Sequence, residues 1–558
     1  MISIFFISLL SIYMKRIQSL VHHLFLAILF SGCVKKKVSL IVVNANIYKV
    51  DSNYSQASAM AVHDGKIVAM GNNVTIQTKY QSANNIDAKG ATILPGFIDA
   101  HAHFTGYATD MWKCDLVGTK SYAEILTKLK AYSTNIPTQW LYGRGWNEND
   151  WIVKTYPTKK MLDSLYPNRP VFLKRIDGRT ALLNQMALSL AGVQLSTSVP
   201  GGVIGIKNGQ LTGILTDKAM DMAEQAIPTI SDSMAMQYYL AAQANCFAVG
   251  LTSIHDCDIS ESTIQLLKTA QQNLGLRIKI FALLADSAQY YNRWIKSGPL
   301  KTANLTVGGF KLYADGALGN RGACLLNSYT DKKDWYGQML APEAHYKAVA
   351  EALMNTKLQL NIQAIGDSAN RTILKIYANV LKGKNDKRWR ITHAQVVQPK
   401  DVHYFAAYNI IPSVMPTHAT SDMYWAVDRL GKKRINHAYT YQQLLQTNGW
   451  LPLGTDFPVE DMNPIKTFFA AVVRQNDKGL PRSGFNMDNA LTRKQALYGI
   501  TIWAAKAAYE EGEKGSLEVG KAADFVMLDT DIMNCPTNQI LATKVISTWL
   551  NGIKVWGK

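Results

Sequence analysis

The sequence predicts a mixed α/β protein: a (β/α)8 TIM barrel with an insertion after its first strand, and a small β-sandwich domain formed by the N- and C-terminal segments. Eight short apolar segments alternate with helical stretches in the middle of the chain, one long segment interrupts this alternation, and both ends are rich in β structure. Alternating β and α units favour a parallel sheet, and eight of them favour closure into a barrel. The 558 residues are 47% hydrophobic and 18% charged, which is typical of a packed globular chain.

The first 33 residues have the organisation of a secretory signal peptide. Lys15-Arg16 precede an uncharged stretch at 17–32 that is rich in Leu and Phe and leads into Cys33. The ending resembles a bacterial lipobox, in which the cysteine becomes the lipidated first residue, and Met14 is a candidate true start. We therefore expect an exported lipoprotein, in the periplasm or at the outer membrane. The alternative is a signal anchor retained as one transmembrane helix, although the apolar stretch is short for a span.

Residues 34–95 and 512–558 are predicted to form one composite β domain. Strands are expected at 39–50 and 60–70 in the first segment and at 523–528 and 545–549 in the second. Neither segment has enough alternating apolar residues to close a core alone, so pairing the two is the economical solution.

Residues 96–511 are predicted to form the barrel. Its eight apolar segments are 96–103, 251–255, 278–285, 308–313, 359–365, 390–394, 410–415 and 451–455. The interruption at about 120–232 carries candidate strands at 141–146 and 171–177, so we expect an insertion over the barrel mouth.

Polar residues suited to metal binding follow several of these strands. His101 and His103 end the first strand two residues apart, so both side chains point to the same face, as neighbouring ligands of one cation must. Catalytic groups of such barrels gather at the C-terminal rim, where Lys311, His393 and Asp456 are also expected. The structural alternatives are a paired core lysine, a hydrogen-bonded core histidine and a helix N-cap, respectively.

These motifs resemble the amidohydrolase superfamily, in its amidohydrolase-3 (YtcJ-like) branch, from about residue 39 to residue 558. Further matching blocks are Gly145-Trp146-Asn147, Asp177-Gly178, Ala364-Ile365-Gly366-Asp367, Pro416-Thr417-His418 and 515–525. The resemblance implies a metal-dependent hydrolase of amide-type C–N bonds other than peptide bonds. The residues that match its metal positions are His101, His103, Lys311, His393 and Asp456. In that pattern the lysine is carboxylated and bridges two divalent cations, and Asp456 and His393 are the catalytic residues.

Three positions depart from the family pattern. Gln363 stands where the family typically has a histidine, and its neutral amide oxygen is a weaker ligand than imidazole. We therefore treat Gln363 as a weak or lost ligand and expect about one tightly held cation. Arg179 replaces an expected histidine after Asp177-Gly178, and Met415 replaces the glutamine that commonly precedes Pro416; both changes affect the predicted substrate region.

The candidate substrate contacts are Trp146, Asp177, Arg179, His418, Asp422 and Trp425, although aromatic residues there could instead pack the insertion. Zinc is the favoured metal because imidazole and carboxylate ligands suit it, but the same ligands would hold iron, manganese or nickel.

The excess of 59 Lys and Arg over 41 Asp and Glu gives a net charge of +18. The basic residues are scattered apart from Lys35-Lys36-Lys37, which favours a solvated surface over a nucleic-acid groove. The leading hypothesis is an exported metallohydrolase of a small amide-like molecule. The alternative is a degenerate, non-catalytic lipoprotein that binds a small ligand; an adhesion or polyanion-binding lipoprotein is supported by net charge only. The sequence is also compatible with a homo-oligomer.

Overall fold

Seven parallel strands form the wall of a barrel in the middle of the chain. In the computed structural model, which describes residues 10–11, 13–18, 35–134, 140–228 and 230–557, each of these strands pairs with the next along the chain. They are Phe97–Ala102, Leu251–Ile259, Lys279–Leu284, Leu305–Tyr313, Gln359–Ala364, Arg390–His393 and Ile411–Ser413. Five of the seven are buried at every residue, as expected of strands with helices outside and side chains packed within.

The eighth position is filled by an extended but irregular segment, 451–456. On one side, the Gly454 N–H donates a hydrogen bond to Val414 O (3.0 Å). On the other side, the Ala100 N–H donates to Leu453 O (3.1 Å) and the Asp456 N–H donates to His101 O (2.8 Å). Asp456 has a φ of 64°, which takes the chain out of the extended conformation there. The predicted barrel is confirmed, with its last strand reduced to this closing segment.

Helices cover the outside of the barrel and follow most of its strands. The longer ones are Asp232–Ala248, Glu261–Asn273, Ala288–Ser297, Glu343–Met354, Asp367–Leu381, Pro416–Arg434, Tyr441–Asn448 and Pro464–Val473. The shorter ones are Phe104–Asp110, His403–Tyr408, Arg493–Gly499 and Ile502–Ala507. Ser231 and Ser260 begin the first two as N-caps, because their side chains accept a backbone N–H three residues on.

The insertion is a mixed six-stranded sheet with its own helices. Its strands, in sheet order, are Cys114–Asp115, Leu141–Trp146, Val171–Arg175, Thr180–Leu183, Gln210–Asp217 and Gly202–Lys207. Its helices are Tyr122–Ser133, Lys160–Leu165, Gln185–Leu190 and Lys218–Gln225. Both strands that were predicted inside the insertion are present, and the sheet begins slightly earlier than residue 120.

The two chain ends share a sheet. Strand Phe525–Leu528 pairs antiparallel with Thr92–Pro95. The complete sheet order is Ile553–Gly557, Val545–Leu550, Phe525–Leu528, Thr92–Pro95, Asn46–Tyr48 and Gln56–Ala57. A second sheet consists of Lys66–Gly71, Ala59–His63, Leu40–Val43 and Asn85–Asp87, with Lys36–Lys37 pairing Tyr80–Gln81 beside helix Asn73–Lys79. One apolar cluster joins Ile47 and Met60 to Phe525, so the β-sandwich is built from both ends; its exact domain limits stay a prediction.

Most of the predicted signal segment, including Cys33, lies outside the described residues. Within the part of the chain that the structure describes, no helix is long and apolar enough to span a membrane.

Candidate metal centre

Five side chains predicted from the sequence meet at the C-terminal end of the barrel. His101 Nε2 and His103 Nε2 lie 3.4 Å and 3.3 Å from Asp456 Oδ1. Lys311 Nζ lies 3.2 Å from His101 Nε2, and His393 Nε2 lies 3.9 Å from Asp456 Oδ2. All are buried except His103, whose side chain is 27% exposed. Residues from four separate strand positions therefore form one cluster.

The backbone at this end is adapted to bring the cluster together. His393 and Asp456 have φ values of 71° and 64°, a region that costs a non-glycine residue about 1–3 kcal/mol. Gly454 is required for the close approach of the closing segment, because a Cβ there would lie 2.7 Å from His101 N. Two of the residues that carry the cluster thus adopt a strained backbone conformation.

His418 also belongs to the cluster, although the sequence placed it among the candidate substrate contacts. Its Nε2 lies 3.2 Å from Asp456 Oδ2 and its Nδ1 lies 3.0 Å from Glu460 Oε1. Its ring stacks beside that of His393, with centroids 5.6 Å apart and planes inclined by 17°. The start of helix Pro416–Arg434, directly after the seventh barrel strand, positions it there.

The donor atoms fit a divalent cation. They form two groups that share Asp456, one with His101 and His103 and one with His393 and His418, and the donor atoms of each group lie within 4.8 Å of one another. His393 Nδ1 is buried without a hydrogen-bond partner. Neutral imidazole and carboxylate are ligands that zinc and related metals prefer.

The charges of these groups suit metal binding. Burial, assisted by Lys311, lowers the pKa of His101 to about 3, and burial lowers the pKa of His393 well below its usual value. Burial alone would raise the pKa of Asp456, but hydrogen bonds from His101, His103 and His418 hold it well below the usual range. Two imidazoles are therefore neutral beside an ionised carboxylate.

His418 and Lys311 have pKa values shifted in opposite directions. Burial would lower the pKa of His418, but hydrogen bonds to Asp456 and Glu460 raise it well above the usual value. Burial lowers the pKa of Lys311, whose side chain is fully enclosed. Burial thus shifts the Lys311 amine towards its neutral form.

Gln363 lies beside the cluster but is hydrogen-bonded elsewhere. Its Nε2 donates to Asp315 O at 2.8 Å, and the residue lines the same cavity as the histidines. A fixed amide in this position does not offer the imidazole nitrogen that the family pattern has there.

Asp99 and Glu460 are site residues that sequence reasoning missed. Asp99 accepts hydrogen bonds from the His101 N–H (3.1 Å) and from Thr455, and burial raises its pKa to about 7. The available signal was periodicity, because Asp99 precedes His101 by two residues and so shares its face of the strand. Glu460 follows Asp456 by four residues in a loop, where no periodic pattern of side chains marks it.

A cavity of about 920 Å³ opens onto the cluster, a size typical of small-molecule sites. Of the predicted substrate contacts, Asp177, Arg179, Asp422 and Trp425 line it. The guanidinium of Arg179 lies over the Tyr313 ring, with Cζ 3.8 Å from the ring centroid. Asp422 accepts a hydrogen bond from the Tyr439 hydroxyl (2.8 Å), and burial raises the pKa of Asp422 to about 7.

Trp146, which the sequence predicted as a substrate contact, does not line this cavity. The side chain is fully buried in the insertion, where Nε1 donates to Leu173 O at 2.8 Å and the ring packs near Trp151 and Tyr156. The six-stranded sheet of the insertion has its own core, and Trp146 fills it.

Comparison with known proteins identifies similar chains. Residues 85–555 match the amidohydrolase family. The chain is 30% identical to the Bacillus subtilis protein YtcJ over 92% of this chain and 98% of that protein. It is 25% identical to the N-substituted formamide deformylase of Arthrobacter pascens over 92% of this chain and 97% of that enzyme. The crystal structure of an uncharacterized metal-dependent hydrolase from Pyrococcus horikoshii superposes with a TM-score of 0.74 at 25% identity, covering 89% of this chain and 99% of that chain.

Proposed function

The chain belongs to the amidohydrolase family and is a metal-dependent hydrolase; we propose that it cleaves an amide-type C–N bond, other than a peptide bond, in a small molecule. The observation that carries this proposal is the convergence of His101, His103, Lys311, His393 and Asp456 in one cluster, of which His103, His393 and Asp456 line the cavity. The match over residues 85–555 confirms the branch that the sequence motifs predicted.

We propose zinc as the cation, held by His101, His103, Asp456 and a carboxylated Lys311. The donor set supports this choice, because zinc prefers nitrogen and oxygen ligands in this combination. A bound divalent cation supplies Lewis acidity that polarises a carbonyl group and lowers the pKa of water.

Asp456 is the proposed general base and acid. Its carboxylate is held ionised by three imidazoles, and its two oxygens face different histidines, Oδ1 towards His101 and His103 and Oδ2 towards His418. It would take a proton from water and return that proton to the departing nitrogen, which requires contact with both. His393 would donate a hydrogen bond to the substrate carbonyl oxygen or help to hold a second cation.

The cavity and one relative support the proposed substrate class. The Arthrobacter pascens relative is a deformylase of N-substituted formamides. We propose a substrate with the same bond type, a small N-acyl amine or cyclic amide, because the cavity is of small-molecule size and is lined by both charged and aromatic side chains.

The test is turnover by the purified full chain on a panel of N-formyl amines, N-acyl amines and cyclic amides. We expect hydrolysis of at least one class, with release of amine and acid in equal amounts from acyclic substrates. Asp456→Asn should lower kcat by about 100-fold or more, whereas Asp461→Asn, at an exposed cavity residue paired with Lys466, should not. Full metal content without turnover on any amide would contradict the proposal and favour the non-catalytic ligand-binding alternative.

We also propose that the mature chain is exported and anchored to a membrane by lipid on Cys33. The order of cationic, apolar and small residues before Cys33 supports this. Expression of the full chain in bacteria should place it in the membrane fraction, and Cys33→Ser should abolish incorporation of labelled fatty acid, whereas Cys535→Ser should not. Equal labelling of both variants would contradict the lipid anchor.

A further inference from the structure

We propose that His418 is a ligand of a second divalent cation and replaces the imidazole that is missing at Gln363. The second site then consists of His393, His418 and Asp456, and Glu460 holds His418 in its ligating orientation. This inference rests on the proposed function in one respect only, namely that the cluster binds divalent cations. It changes the expected metal content from about one cation per chain to two.

The geometry of the three donors supports a common ligand. Their donor atoms lie within 4.8 Å of one another, and all three side chains are buried. The rings of His393 and His418 are nearly parallel at a centroid distance of 5.6 Å, and the Asp456 carboxylate lies beside both. Three donors from three separate chain segments thus face one small volume, as chelation of a cation requires.

The hydrogen bonds around His418 match those of a metal-bound histidine. Histidine ligands typically donate their second ring N–H to a carboxylate or a carbonyl oxygen, which fixes the tautomer and ring orientation. His418 Nδ1 lies 3.0 Å from Glu460 Oε1, which leaves Nε2 directed at Asp456. His103 has the same arrangement, with Nδ1 3.2 Å from Cys257 O and Nε2 directed at Asp456.

Glu460 is itself held in place. Its Oε1 also accepts the Ser421 hydroxyl at 2.5 Å, and Ser421 lies on the same helix as His418. The carboxylate therefore bridges two points of that helix and restrains the imidazole. A cation bound to Nε2 would take the place of any proton on that nitrogen, because a histidine ligand is unprotonated at the nitrogen that binds the metal.

The position of Gln363 explains why a replacement is needed. The Gln363 amide is hydrogen-bonded through Nε2 to Asp315 O (2.8 Å), and a glutamine oxygen is a poorer ligand than imidazole. His418 comes from the seventh strand position instead of the fifth, yet its Nε2 reaches the same carboxylate as His393. The fifth strand thus lacks an imidazole at Gln363, and the seventh strand position supplies one through His418.

The test is the zinc content of the full chain, measured by elemental analysis after equilibration with zinc and removal of free metal. We expect two zinc ions in wild type, one in His418→Ala, and two again in the double variant His418→Ala/Gln363→His. Glu460→Gln should lower the zinc affinity of the second site by about 10–100-fold in a titration. This is the usual effect of removing a group that hydrogen-bonds a metal ligand. His345→Ala is the matched control, because His345 pairs with Asp286 at the surface and should leave the content at two.

One zinc ion in wild type, or two in His418→Ala, would overturn the inference. Because removal of His418 could disturb folding, circular dichroism checks the fold of each variant. The Glu460→Gln titration is a second test that leaves His418 in place. An unchanged zinc affinity of the second site in Glu460→Gln would also overturn the inference. The count does not depend on turnover. Two zinc ions without amide hydrolysis would contradict the proposed function while supporting this second site, and no zinc in wild type would contradict both.

Discussion

Asp99 and Thr455 are joined by two hydrogen bonds across the closure of the barrel. The Thr455 N–H donates to Asp99 Oδ1 at 3.0 Å and the Thr455 hydroxyl donates to Asp99 Oδ2 at 2.6 Å. Asp99 precedes His101 by two residues and Thr455 directly precedes Asp456. These bonds therefore fix the strand that carries the histidine pair to the segment that carries the carboxylate, and both side chains are buried.

Thr455→Val should loosen the metal centre. The substitution keeps the shape of the side chain but leaves a buried carboxylate oxygen without its donor, which costs about 1–3 kcal/mol. We expect a lower Tm and faster loss of metal to a chelator. Thr467→Val is the matched control, because Thr467 is buried and its hydroxyl has no hydrogen-bond partner. Equal metal loss from the two variants would argue against a positioning role for Asp99 and Thr455.

Lys311→Met should remove the cation held with His101 and His103, and added bicarbonate should promote metal uptake at that site by the wild type. Burial lowers the pKa of Lys311, so the neutral Nζ can attack carbon dioxide and release a proton to give a carbamate. Lys311→Glu supplies a carboxylate directly and should retain metal independently of bicarbonate. Metal content and its bicarbonate dependence are the measurements.

Lys279→Met is the control for that prediction. Lys279 is also a buried barrel lysine, but its Nζ donates to Asp524 Oδ2 (2.6 Å) and Asn551 Oδ1 (2.8 Å), away from the cluster. Its loss should lower stability without changing metal content. If Lys311→Met kept the full metal content of the wild type, Lys311 would be a structural lysine and not a ligand.

Arg179 should contribute to substrate binding. The guanidinium is fixed on the Tyr313 ring and lines the cavity, and among the described residues no carboxylate lies within ion-pair distance of it. Lys174 lines the same cavity but is paired with Glu224 at 2.8 Å. Hydrogen bonds to a charged group contribute about 1.5–3 kcal/mol, so Arg179→Met should raise KM about 10–100-fold with little change in kcat. Lys174→Met should raise KM less than Arg179→Met does. A larger increase in KM for Lys174→Met than for Arg179→Met would contradict a role of Arg179 in substrate binding.

Much of the fold was predictable because its signals are local. The strand at 96–103 and the strand at 359–365 are short apolar runs bounded by turns, and their observed limits differ from the predicted ones by a residue or so. His101 and His103 follow from the two-residue period of a strand. The eighth strand is less regular than predicted because Asp456 adopts a positive φ, which the sequence does not reveal.

The parts that were missed depend on contacts between distant segments. Trp146 was predicted beside the substrate, but the insertion forms a six-stranded sheet whose core encloses it. His418 was recognised by its motif, yet its pairing with Glu460 and Asp456 depends on how a helix start and a loop approach one another. Spacing along the chain does not encode such approaches.

Asp217→Asn should change the pH dependence of stability in a defined direction. Asp217 is 4% exposed, its Oδ1 has no hydrogen-bond partner, and burial raises its pKa to about 6 although Arg179 opposes this. An unfolded aspartate has a pKa of about 3.9. The folded state therefore binds the proton more tightly, so this contribution to stability is present below about pH 4 and lost as the pH rises through about 6. The loss amounts to about 3 kcal/mol, at about 1.4 kcal/mol per pKa unit.

Asparagine at 217 is not ionised and has nearly the same shape as the aspartate that it replaces, so the variant should avoid that loss. Its Tm relative to wild type should be higher at pH 8 than at pH 5. Asp331→Asn is the control, because the pKa of Asp331 shifts in the opposite direction. Although burial would raise this pKa, Arg321 and Arg429 lower it, so the contribution of Asp331 to stability is present above about pH 4 and lost only on further acidification. Removing it should therefore lower the Tm by the same amount at pH 8 and at pH 5. Parallel pH profiles for the two variants would show that the buried Asp217 carboxylate does not carry the predicted penalty.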